Sequence, residues 1–546
     1  MKRSLSLLIA ALLSVASTLS AQPGGQQREV PRARGADPIP ADSLPAYVRK
    51  TAPTDSIIAR IWEEGTQRSQ VATLAQALVD SIGARLTASP EIEAASRWAM
   101  SMYQRWGIPA RQHRYGTWPS WQRGHTHVDL IAPRVRTLEA MTLAWSPGTN
   151  GKVVTGDVVT LPESGSADAY AAWLRGVRGK FVLASAPQLS CRSRDQWAEF
   201  GTPQSQARIR EQQDSLNVMW RARVAAADSL QARLRTAGAA GVVTHGFSGY
   251  PGIDKIFGSP RLQVLSIDIT CEDYGLLARL AERRQAPRLR VDAATETRGV
   301  RPVFNTIAEM RGREKPDEYV VLSAHFDSWS ASGGATDNAT GTVAMMEAMR
   351  ILRTVLPNPR RTILVGHWSG EEQGLNGSRA FVEDHPAVVQ GLQALFNQDN
   401  GTGRVAFTGP GALPGAAPVL QRYLGEIPSE ITQYIRFGAP GMPPTGGSDH
   451  ASFACAGAPA FGLGSLSWDY GLTTWHTNRD TYDKIVLDDL RSNAILIAAL
   501  AYQASEDPAT MPRDRLTPLP PNPQTGQPRE WPACRPALRS AEGYAR

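Results

Sequence analysis

The feature that most constrains the fold is a regular alternation of apolar strands and amphipathic helices in the second half of the chain. Near-continuous apolar runs at 319–324, 361–365 and 392–398 alternate with helical patterns at 341–355 and 377–382. Strands that are apolar on both faces pack between two layers of helices, so this order predicts an α/β fold with a mostly parallel central sheet flanked by helices. In such sheets the ligand site lies at the carboxyl ends of the strands.

Histidines and carboxylates occur where these predicted strands end. The chain has only nine histidines, yet two of them stand among acidic residues in such positions. The members of this set, in chain order, are His325, Asp327, Asp337, Glu371, Glu372, Asp399 and His476. Imidazole and carboxylate groups are ligands that suit zinc. The joint pattern is far more specific than a single His-x-Asp or Glu-Glu pair, and it predicts a metal site.

Two histidines and three carboxylates suffice to hold two metal ions. We expect Asp337 to bridge both ions. His325 and Asp399 then complete the first site, and the second is completed by a further pair. That pair is Glu372 and His476. Two metals about 3.5–4 Å apart can share a bridging water, lower its pKa and polarise a carbonyl.

Two carboxylates of the set remain for other tasks. Adjacent residues after a strand point in different directions, so Glu372 can bind metal while Glu371 faces the bridging water as the general base. Asp327, two residues after His325, can accept the ring N–H that the metal does not use, which fixes the tautomer. We therefore predict catalytic roles for Glu371 and Asp327.

Several segments resemble the motifs of metallopeptidase family 28, the di-zinc exopeptidases that include bacterial leucyl aminopeptidases, carboxypeptidase Q and glutamate carboxypeptidase. The segments are HFDS, ATDNATG, SGEEQGLNGS, QDNG, GGSDHASF and WHTNRDTYD. The resemblance implies the zinc-exopeptidase fold, two Zn²⁺ per chain and a peptide substrate, and it matches the five ligand positions and Glu371 as assigned above. It also implies a cis peptide at Asp337–Asn338. Family members of this architecture are often dimers, so a homodimer is a further expectation, although no residue pattern indicates an interface.

The rest of the chain divides by its texture and by the same resemblance. Short β-rich runs between about 145 and 295, including RGKFVLASAP and AGAAGVVTHG, are similar to the protease-associated domain inserted in several members, here with a helical insertion at 202–235. The expected divisions are a signal peptide at 1–21, a linker or arm at 22–50, the N-terminal part of the peptidase domain at 51–144, the inserted β-rich protease-associated domain at 145–295, the catalytic zinc peptidase domain at 296–507 and a Pro-rich tail at 508–546.

The N-terminus and the charge pattern indicate the compartment and the partners. A basic start, an apolar stretch over 4–20 and small residues before Gln22 are typical of a cleavable signal peptide, which predicts a secreted or periplasmic protein. No other stretch could span a bilayer, so stable membrane insertion is not expected. The net charge of +7 is spread along the chain rather than gathered on one segment, which argues against nucleic-acid binding.

The four cysteines allow three disulfide pairings in an oxidising compartment, and the sequence does not choose between them. Cys191 and Cys534 stand in polar, loop-like segments. Cys271 and Cys455 have apolar neighbours and could equally be buried free thiols. No CxxC motif occurs, which disfavours a thiol-redox or cysteine-zinc site.

Further residues are weaker candidates for the substrate pocket. Asp449 and His450 in GGSDHASF could line it, although Ser448 or Asp449 is also a natural N-cap for the helical stretch beginning at Ala451. Tyr470, in the loop before His476, could stabilise a tetrahedral oxyanion through its hydroxyl.

Two other histidine positions have simpler interpretations. The pair at 125 and 127 could bind another metal, but spacing of two more often marks one face of a strand. His367 ends an apolar strand and is predicted to lie in the core.

These observations favour a zinc exopeptidase, but the end of the peptide on which it acts is open. SGEEQGLNGS and SDHASF look more like the bacterial aminopeptidases, whereas the inserted domain also occurs in carboxypeptidase Q. We favour the aminopeptidase. Two other hypotheses use the same fold: a receptor-like binding protein without metal, which would have broken ligands, and a single-zinc glutaminyl cyclase, which metal stoichiometry would distinguish.

Overall fold

A computed structural model describes residues 54–162, 167–226, 229–400 and 402–544. The predicted signal peptide at 1–21 and arm at 22–50 lie outside the described residues. Within the described ranges, no helix is both long enough and apolar enough to cross a membrane.

The strands range from two to 23 residues in length. Their bounds are β1 Ala110–Ala132, β2 Arg136–Leu138, β3 Ala140–Thr142, β4 Val154–Thr160, β5 Phe181–Leu183, β6 Gly241–Thr244, β7 Ser266–Ile269, β8 Arg288–Met310, β9 Lys315–His325, β10 Arg361–Trp368, β11 Leu392–Asn397, β12 Val405–Thr408, β13 Arg436–Phe437, β14 Ala460–Gly462 and β15 Gly464–Ser465.

The α-helices lie between these strands and before the first of them. Their bounds are α1 Ser56–Gln67, α2 Val71–Gln76, α3 Pro90–Arg105, α4 Ala167–Arg175, α5 Arg194–Phe200, α6 Pro203–Ala226, α7 Leu230–Ala237, α8 Cys271–Glu282, α9 Thr340–Val355, α10 Asn376–Asp384, α11 Pro386–Gln390, α12 Ala416–Glu426, α13 Ser429–Thr432, α14 His450–Ala454, α15 Tyr470–Thr473 and α16 Leu487–Glu506.

One large sheet runs through both halves of the protein in the order β14-β11-β9-β10-β8-β4-β5-β6-β7-β3. On one side of β8, strands β14, β11, β9 and β10 are parallel; on the other side, β4, β5, β6 and β7 are parallel. Strand β8 pairs antiparallel with both β10 and β4, and it also pairs along most of its length with β1. We call the first group of four strands the catalytic half and the second the inserted half.

Strands of the catalytic half are covered on both faces, as their apolar sequences predicted. Val320 and Leu322 of β9 pack in a core with helices α9 and α16. Val321, between them, points to the other face and packs in a second core with Phe381 of α10. The predicted mostly parallel sheet flanked by helices is therefore confirmed in this half, and a separate core fills the inserted half.

The long antiparallel pair β1 and β8 was not predicted from the sequence. Strand β1 includes Gly116, Pro119 and Gly124, residues that usually interrupt strands, and many of its other positions are polar and partly exposed. The pair continues through these positions by register shifts between Arg114 and Gly116, and again further along the strand. Bulges of this kind let a strand absorb residues that break regular pairing.

The disulfides resolve the pairing that the sequence left open. Cys191 bonds Cys271, and Cys455 bonds Cys534. The hypothesis that Cys271 and Cys455 are free thiols is therefore wrong. The second bond attaches the C-terminal tail to the C-terminal end of α14.

Candidate metal centre

The predicted ligands converge at the carboxyl ends of the central strands. His325 is the last residue of β9, an inner strand of the parallel group, and it pairs in register with Trp368 at the end of β10. Glu371 lies three residues after β10, and Asp399 lies two residues after β11. Parallel neighbours bring these ends to one edge of the sheet, which is where the sequence pattern placed the site.

Two imidazole rings face the same carboxylate from opposite sides. Nε2 of His325 lies 3.2 Å from Oδ1 of Asp337, and Nε2 of His476 lies 3.2 Å from Oδ2 of the same residue. Asp399 Oδ1 is 2.9 Å from His325 Nε2. Glu372 Oε2 is 2.9 Å from His476 Nε2. The five predicted ligands thus form two groups that share Asp337.

The loop that carries Asp337 is fixed by hydrogen bonds to its backbone. Asp480 accepts hydrogen bonds from the N–H groups of Thr336 and Asp337, at 2.8 and 3.0 Å. The side-chain amide of Asn338 donates to the carbonyl of Gln398, and the peptide bond before Asn338 is cis, as the family resemblance implied. The carboxylate of Asp337 is therefore held between the two histidines by its backbone and not by packing alone.

The Glu-Glu pair is positioned by Asp327. One carboxylate oxygen of Asp327 accepts from the N–H of Glu371 at 3.2 Å, and the other accepts from the N–H of Glu372 at 3.3 Å. Thr87 donates its hydroxyl to the same carboxylate at 3.0 Å. Asp327 thereby sets the turn from which the two glutamates project.

The contact of Asp327 with His325 differs in detail from the predicted one. The Nδ1 group of His325 donates to the backbone carbonyl of Asp327 at 3.0 Å, while the nearest carboxylate oxygen is 3.7 Å away. The carboxylate is instead oriented toward the two backbone N–H groups of the Glu-Glu turn. The ring is still fixed, but by the main chain of Asp327.

Buried carboxylates dominate the electrostatics of the site. Burial, together with the negative charges of Asp399 and Asp449, raises the pKa of Glu371 well above its usual range. Burial and the charge of Asp337 raise the pKa of Glu372 to about 7. Burial alone would lower the pKa of His476, but Glu372 and Asp337 raise it to about 9. The negative charge of the carboxylates in the site is therefore greater than the positive charge that its two histidines can supply.

The donor set fits metal ions. One ligand atom each from His325, Asp337 and Glu372 lies within 4.8 Å of the others, and the same holds for His325, Glu371 and Asp399. Among the described residues, Glu372 Oε1 is buried and has no hydrogen-bond partner, and the buried Asp337 Oδ2 has only its ion-pair contact with His476. Buried carboxylate oxygens without donors are costly, and a cation between the imidazoles would satisfy them.

Comparisons with known proteins agree with this geometry. Residues 305–501 match the model of peptidase family M28. The chain is 24% identical to human carboxypeptidase Q over 441 residues, which cover 80% of this chain and 85% of that protein. Residues 305–501 therefore form a peptidase family M28 domain. The chain is therefore an enzyme of the peptidase class.

Solved structures share the fold of this M28 peptidase. A peptidase M28 precursor from Shewanella amazonensis SB2B superposes with a TM-score of 0.61 at 21% identity, covering 85% of this chain and 98% of that one. A zinc aminopeptidase from Bacillus subtilis gives a TM-score of 0.51 at 17% identity, covering 81% and 96%. These similarities include the inserted half as well as the catalytic half, since both cover more than four fifths of the chain.

The weaker candidates for the substrate pocket, Asp449, His450 and Tyr470, also lie near the proposed metal ligands. Asp449 is buried, and in the described chain neither of its carboxylate oxygens has a hydrogen-bond partner. Burial raises its pKa to about 7, with Asp399 and Asp327 adding to the effect while His325 opposes it. Asp449 precedes α14, but its side chain does not cap that helix.

His450 and Tyr470 are both partly buried. Burial lowers the pKa of His450 to about 4. Burial, together with the charges of Asp337 and Asp399, raises the pKa of the Tyr470 hydroxyl, which is consistent with a neutral donor close to the ligands.

The other histidines are accounted for without metal. His125 contacts Asp292 at 3.2 Å and His127 contacts Asp129 at 3.0 Å, each on the long strand β1. His367 is buried and its Nε2 lies 2.7 Å from the Tyr103 hydroxyl, in the core position that the sequence indicated.

Residues of the inserted half contact the loop that carries His476. The sequence did not reveal these contacts. The N–H of Ile256 donates to the carbonyl of His476 at 2.8 Å, and the ring of Phe257 packs edge-on against its imidazole. Lys255 donates to the carbonyl of Gly471 at 2.9 Å. These residues come from a loop between β6 and β7, far from His476 in sequence.

Two further supporting residues were not predicted. Asp480 lies within the WHTNRDTYD segment, four residues after His476, so its position in that motif was an available signal. Arg85 is buried and donates to the carbonyls of Phe326, Gly333 and Gly334, which ties together the strand end at His325 and the loop before Asp337. Nothing in GARLTASP distinguishes Arg85 from a surface arginine.

Proposed function

We propose that this M28 peptidase is a zinc-dependent exopeptidase with two ions per chain, exported to the periplasm or the medium. The observation that carries the proposal is Asp337, whose two carboxylate oxygens face His325 and His476 separately. A single-ion site needs no such bridge. An intact ligand set also disfavours the receptor-like alternative.

The two sites would be filled as the sequence pattern suggested. His325 and Asp399 would hold one ion with Asp337, and the second ion would share Asp337. Its other ligands would be Glu372 and His476. Zinc in such a site supplies an acidified water and polarises the scissile carbonyl.

Glu371 is the proposed general base. Its carboxylate lies within reach of the His325 and Asp399 groups, and its backbone is held by Asp327. It accepts the proton of the attacking water and then delivers that proton to the leaving amine. The raised pKa of Glu371 suits the step in which it carries the proton to the leaving amine. Bound cations would favour its ionised form, which accepts the proton from water.

We propose that the enzyme acts at the amino end of peptides. Asp449 is a buried carboxylate that forms no salt bridge within the described residues, so it is suited to receive the free ammonium group of a substrate. His450, neutral at physiological pH because burial lowers its pKa, would not repel that ammonium. The hydroxyl of Tyr470 is suited to donate to the oxyanion.

A specific observation favours carboxypeptidase action as the second candidate. The ammonium group of Lys255 stacks on Trp475 with its Nζ 3.8 Å from the ring centroid, and the charge of Asp337 acts on it. A cation in that position could receive a terminal carboxylate. The curated relatives that cover most of the chain are also named carboxypeptidase Q.

Support for export comes from two structural disulfides, since such bonds persist in oxidising compartments. The signal-like N-terminus points the same way.

The test is a mass-spectrometric panel of peptides with free or blocked termini, incubated with zinc-loaded mature protein. Loss of residues from free amino ends alone supports the aminopeptidase. Loss from free carboxyl ends alone supports the second candidate. If residues are lost from neither end, the exopeptidase proposal is contradicted. Cyclisation of N-terminal glutamine with one bound zinc would indicate a glutaminyl cyclase.

A further inference from the structure

A cavity of about 300 Å³ lies beside the proposed catalytic site, between the catalytic half and the C-terminal tail. Its walls come from α10, from the segment at 444–455 and from the tail at 532–536. The disulfide Cys455–Cys534 forms part of the wall and fixes the tail in this place. The tail was the part of the sequence to which the family resemblance gave no role.

Two arginines line this cavity, and among the described residues neither of them forms a salt bridge with a carboxylate. Arg379 of α10 is partly buried, and Arg535 comes directly after the disulfide cysteine of the tail. In the part of the chain that the structure describes, neither guanidinium takes part in a salt bridge or side-chain hydrogen bond. Glu383, the acidic residue of the wall, is engaged by Arg539 at 2.8 Å.

The two guanidinium groups are close enough to repel each other. Burial lowers the pKa of Arg379, and the charge of Arg535 lowers it further. Arg379 is partly buried and Arg535 is exposed, and the pKa of Arg379 stays lowered although the charges of nearby carboxylates oppose the shift, so an anion that joins the two cations would be stabilising. The disulfide keeps them together, because Arg535 is the residue next to Cys534. The arrangement is that of an anion site.

The cavity adjoins the elements that carry the proposed catalytic groups. Leu375, in its wall, lies three residues after Glu372, and Ala451 lies two residues after Asp449. The charges of Asp449 and Glu371 act on Arg379 and oppose the lowering of its pKa. An anion bound here would therefore lie close enough to the proposed catalytic groups for one substrate molecule to reach both.

We propose that Arg379 and Arg535 bind a carboxylate of the peptide substrate. This inference rests on the proposed exopeptidase function. A guanidinium presents a planar pair of N–H donors that matches the two oxygens of a carboxylate. The carboxylate can come from the α-carboxyl end of a short peptide or from an acidic side chain, and the two sources share this chemistry.

Binding to the zinc-loaded full-length mature protein tests the inference without requiring hydrolysis. Calorimetry would compare N-acetylglycine with N-acetylglycinamide for the α-carboxylate, and N-acetylglutamic acid α-amide with N-acetylglutaminamide for the side chain. At least one acid is expected to bind about tenfold more tightly than its amide partner, as a charged hydrogen bond to arginine provides. Equal affinities within both pairs would overturn the inference.

Substitutions of the two cavity arginines test whether they cause the preference for the acid over the amide. Arg379→Gln and Arg535→Gln are each expected to lower the affinity for the acid about tenfold and to leave the amide unchanged. Arg529→Gln, on the same tail but outside the cavity wall, is the matched control and should change neither. A preference for the acid that survives in both cavity variants would place the carboxylate elsewhere, for example on the metals, and would contradict the inference.

Kinetics separate this inference from the proposed function. With a cleaved tripeptide that bears the preferred carboxylate, both cavity variants should raise KM about tenfold with kcat unchanged. If the wild-type enzyme cleaves no peptide, the exopeptidase proposal fails, while the calorimetric comparison still decides whether the cavity binds carboxylates.

Discussion

The two halves of the sheet are built alike but differ in the side chains at the ends of their strands. Each half has four parallel strands joined to β8, and each has a histidine at a strand end. In the inserted half, Nε2 of His245 contacts the carbonyl of Ala186 at 2.6 Å, and its ring packs on Tyr274. In the catalytic half, the imidazoles of His325 and His476 face carboxylates instead.

This difference shows that the architecture alone does not make a site. A histidine such as His245, which contacts a backbone carbonyl through one ring nitrogen, stabilises its loop, and burial lowers its pKa. Histidines that share a carboxylate without other donors leave room for a cation. We therefore expect the chemistry of this M28 peptidase to be set by the residues at the strand ends of the catalytic half.

The strongest test of the difference between the two halves replaces one glutamate in each half by glutamine. Glu371 and Glu272 both stand three residues after a parallel strand, β10 and β7. Glu371→Gln is expected to lower kcat by about 1,000-fold or more, because it removes the general base, while zinc content and melting temperature stay unchanged. Glu272→Gln is the matched control and should retain full turnover. Comparable activity in the two variants would contradict the role of Glu371.

A second test concerns the bridge. Asp337→Ala is expected to remove both ions together, since each group of ligands loses its shared member. Asp268→Asn, a buried carboxylate of the inserted half, should keep two ions per chain. Zinc analysis after gel filtration would measure both variants, and a stable one-zinc Asp337→Ala protein would count against bridging.

Histidine replacement in the inserted half should affect stability and not chemistry. His245→Ala removes a buried contact with the carbonyl of Ala186 and the packing on Tyr274, so we expect the free energy of unfolding to fall by about 2 kcal/mol. Urea denaturation would measure this change. Loss of zinc in the same variant would mean that the two halves are not chemically distinct.

The smallest expected effect is a pH dependence that arises in the inserted half. Asp254 is buried, and burial raises its pKa to about 8 in the folded state, so the folded state binds a proton that the unfolded state releases near pH 4. Its contribution to stability is present below that pH and is lost as the pH rises toward 8.

Asp254→Asn should therefore raise the free energy of unfolding at pH 8 by about 1 kcal/mol and change it little at pH 4. Denaturation at both values would measure the difference. The exposed substitution Asp214→Asn is the control and should be neutral at both. An Asp254→Asn variant that is equally destabilised at the two pH values would refute this assignment.

Much of the catalytic half could be predicted because its signals are local. Apolar strands such as 319–324 are recognisable by composition, and the residues after them belong to short, specific motifs. The contact of Asp327 was predicted only in part, because the choice between its carboxylate and its carbonyl depends on the turn of the glutamates.

The remainder depends on contacts between distant segments. The supports of the His476 loop, Ile256 and Lys255, come from the inserted half, and no local pattern reports that contact. Arg85 resembles any exposed arginine until its carbonyl partners are known. Pairing of Cys455 with Cys534 likewise depends on the path of the tail, which carries no periodic signal.

The most direct test of the central claim is the metal content and position in one crystal of the mature protein. X-ray data collected on both sides of the zinc absorption edge would locate the ions. Two anomalous peaks, one between His325 and Asp399 and one between Glu372 and His476, with Asp337 between them, are the predicted result. A single peak, or none at full zinc loading, would contradict a two-metal centre built on Asp337.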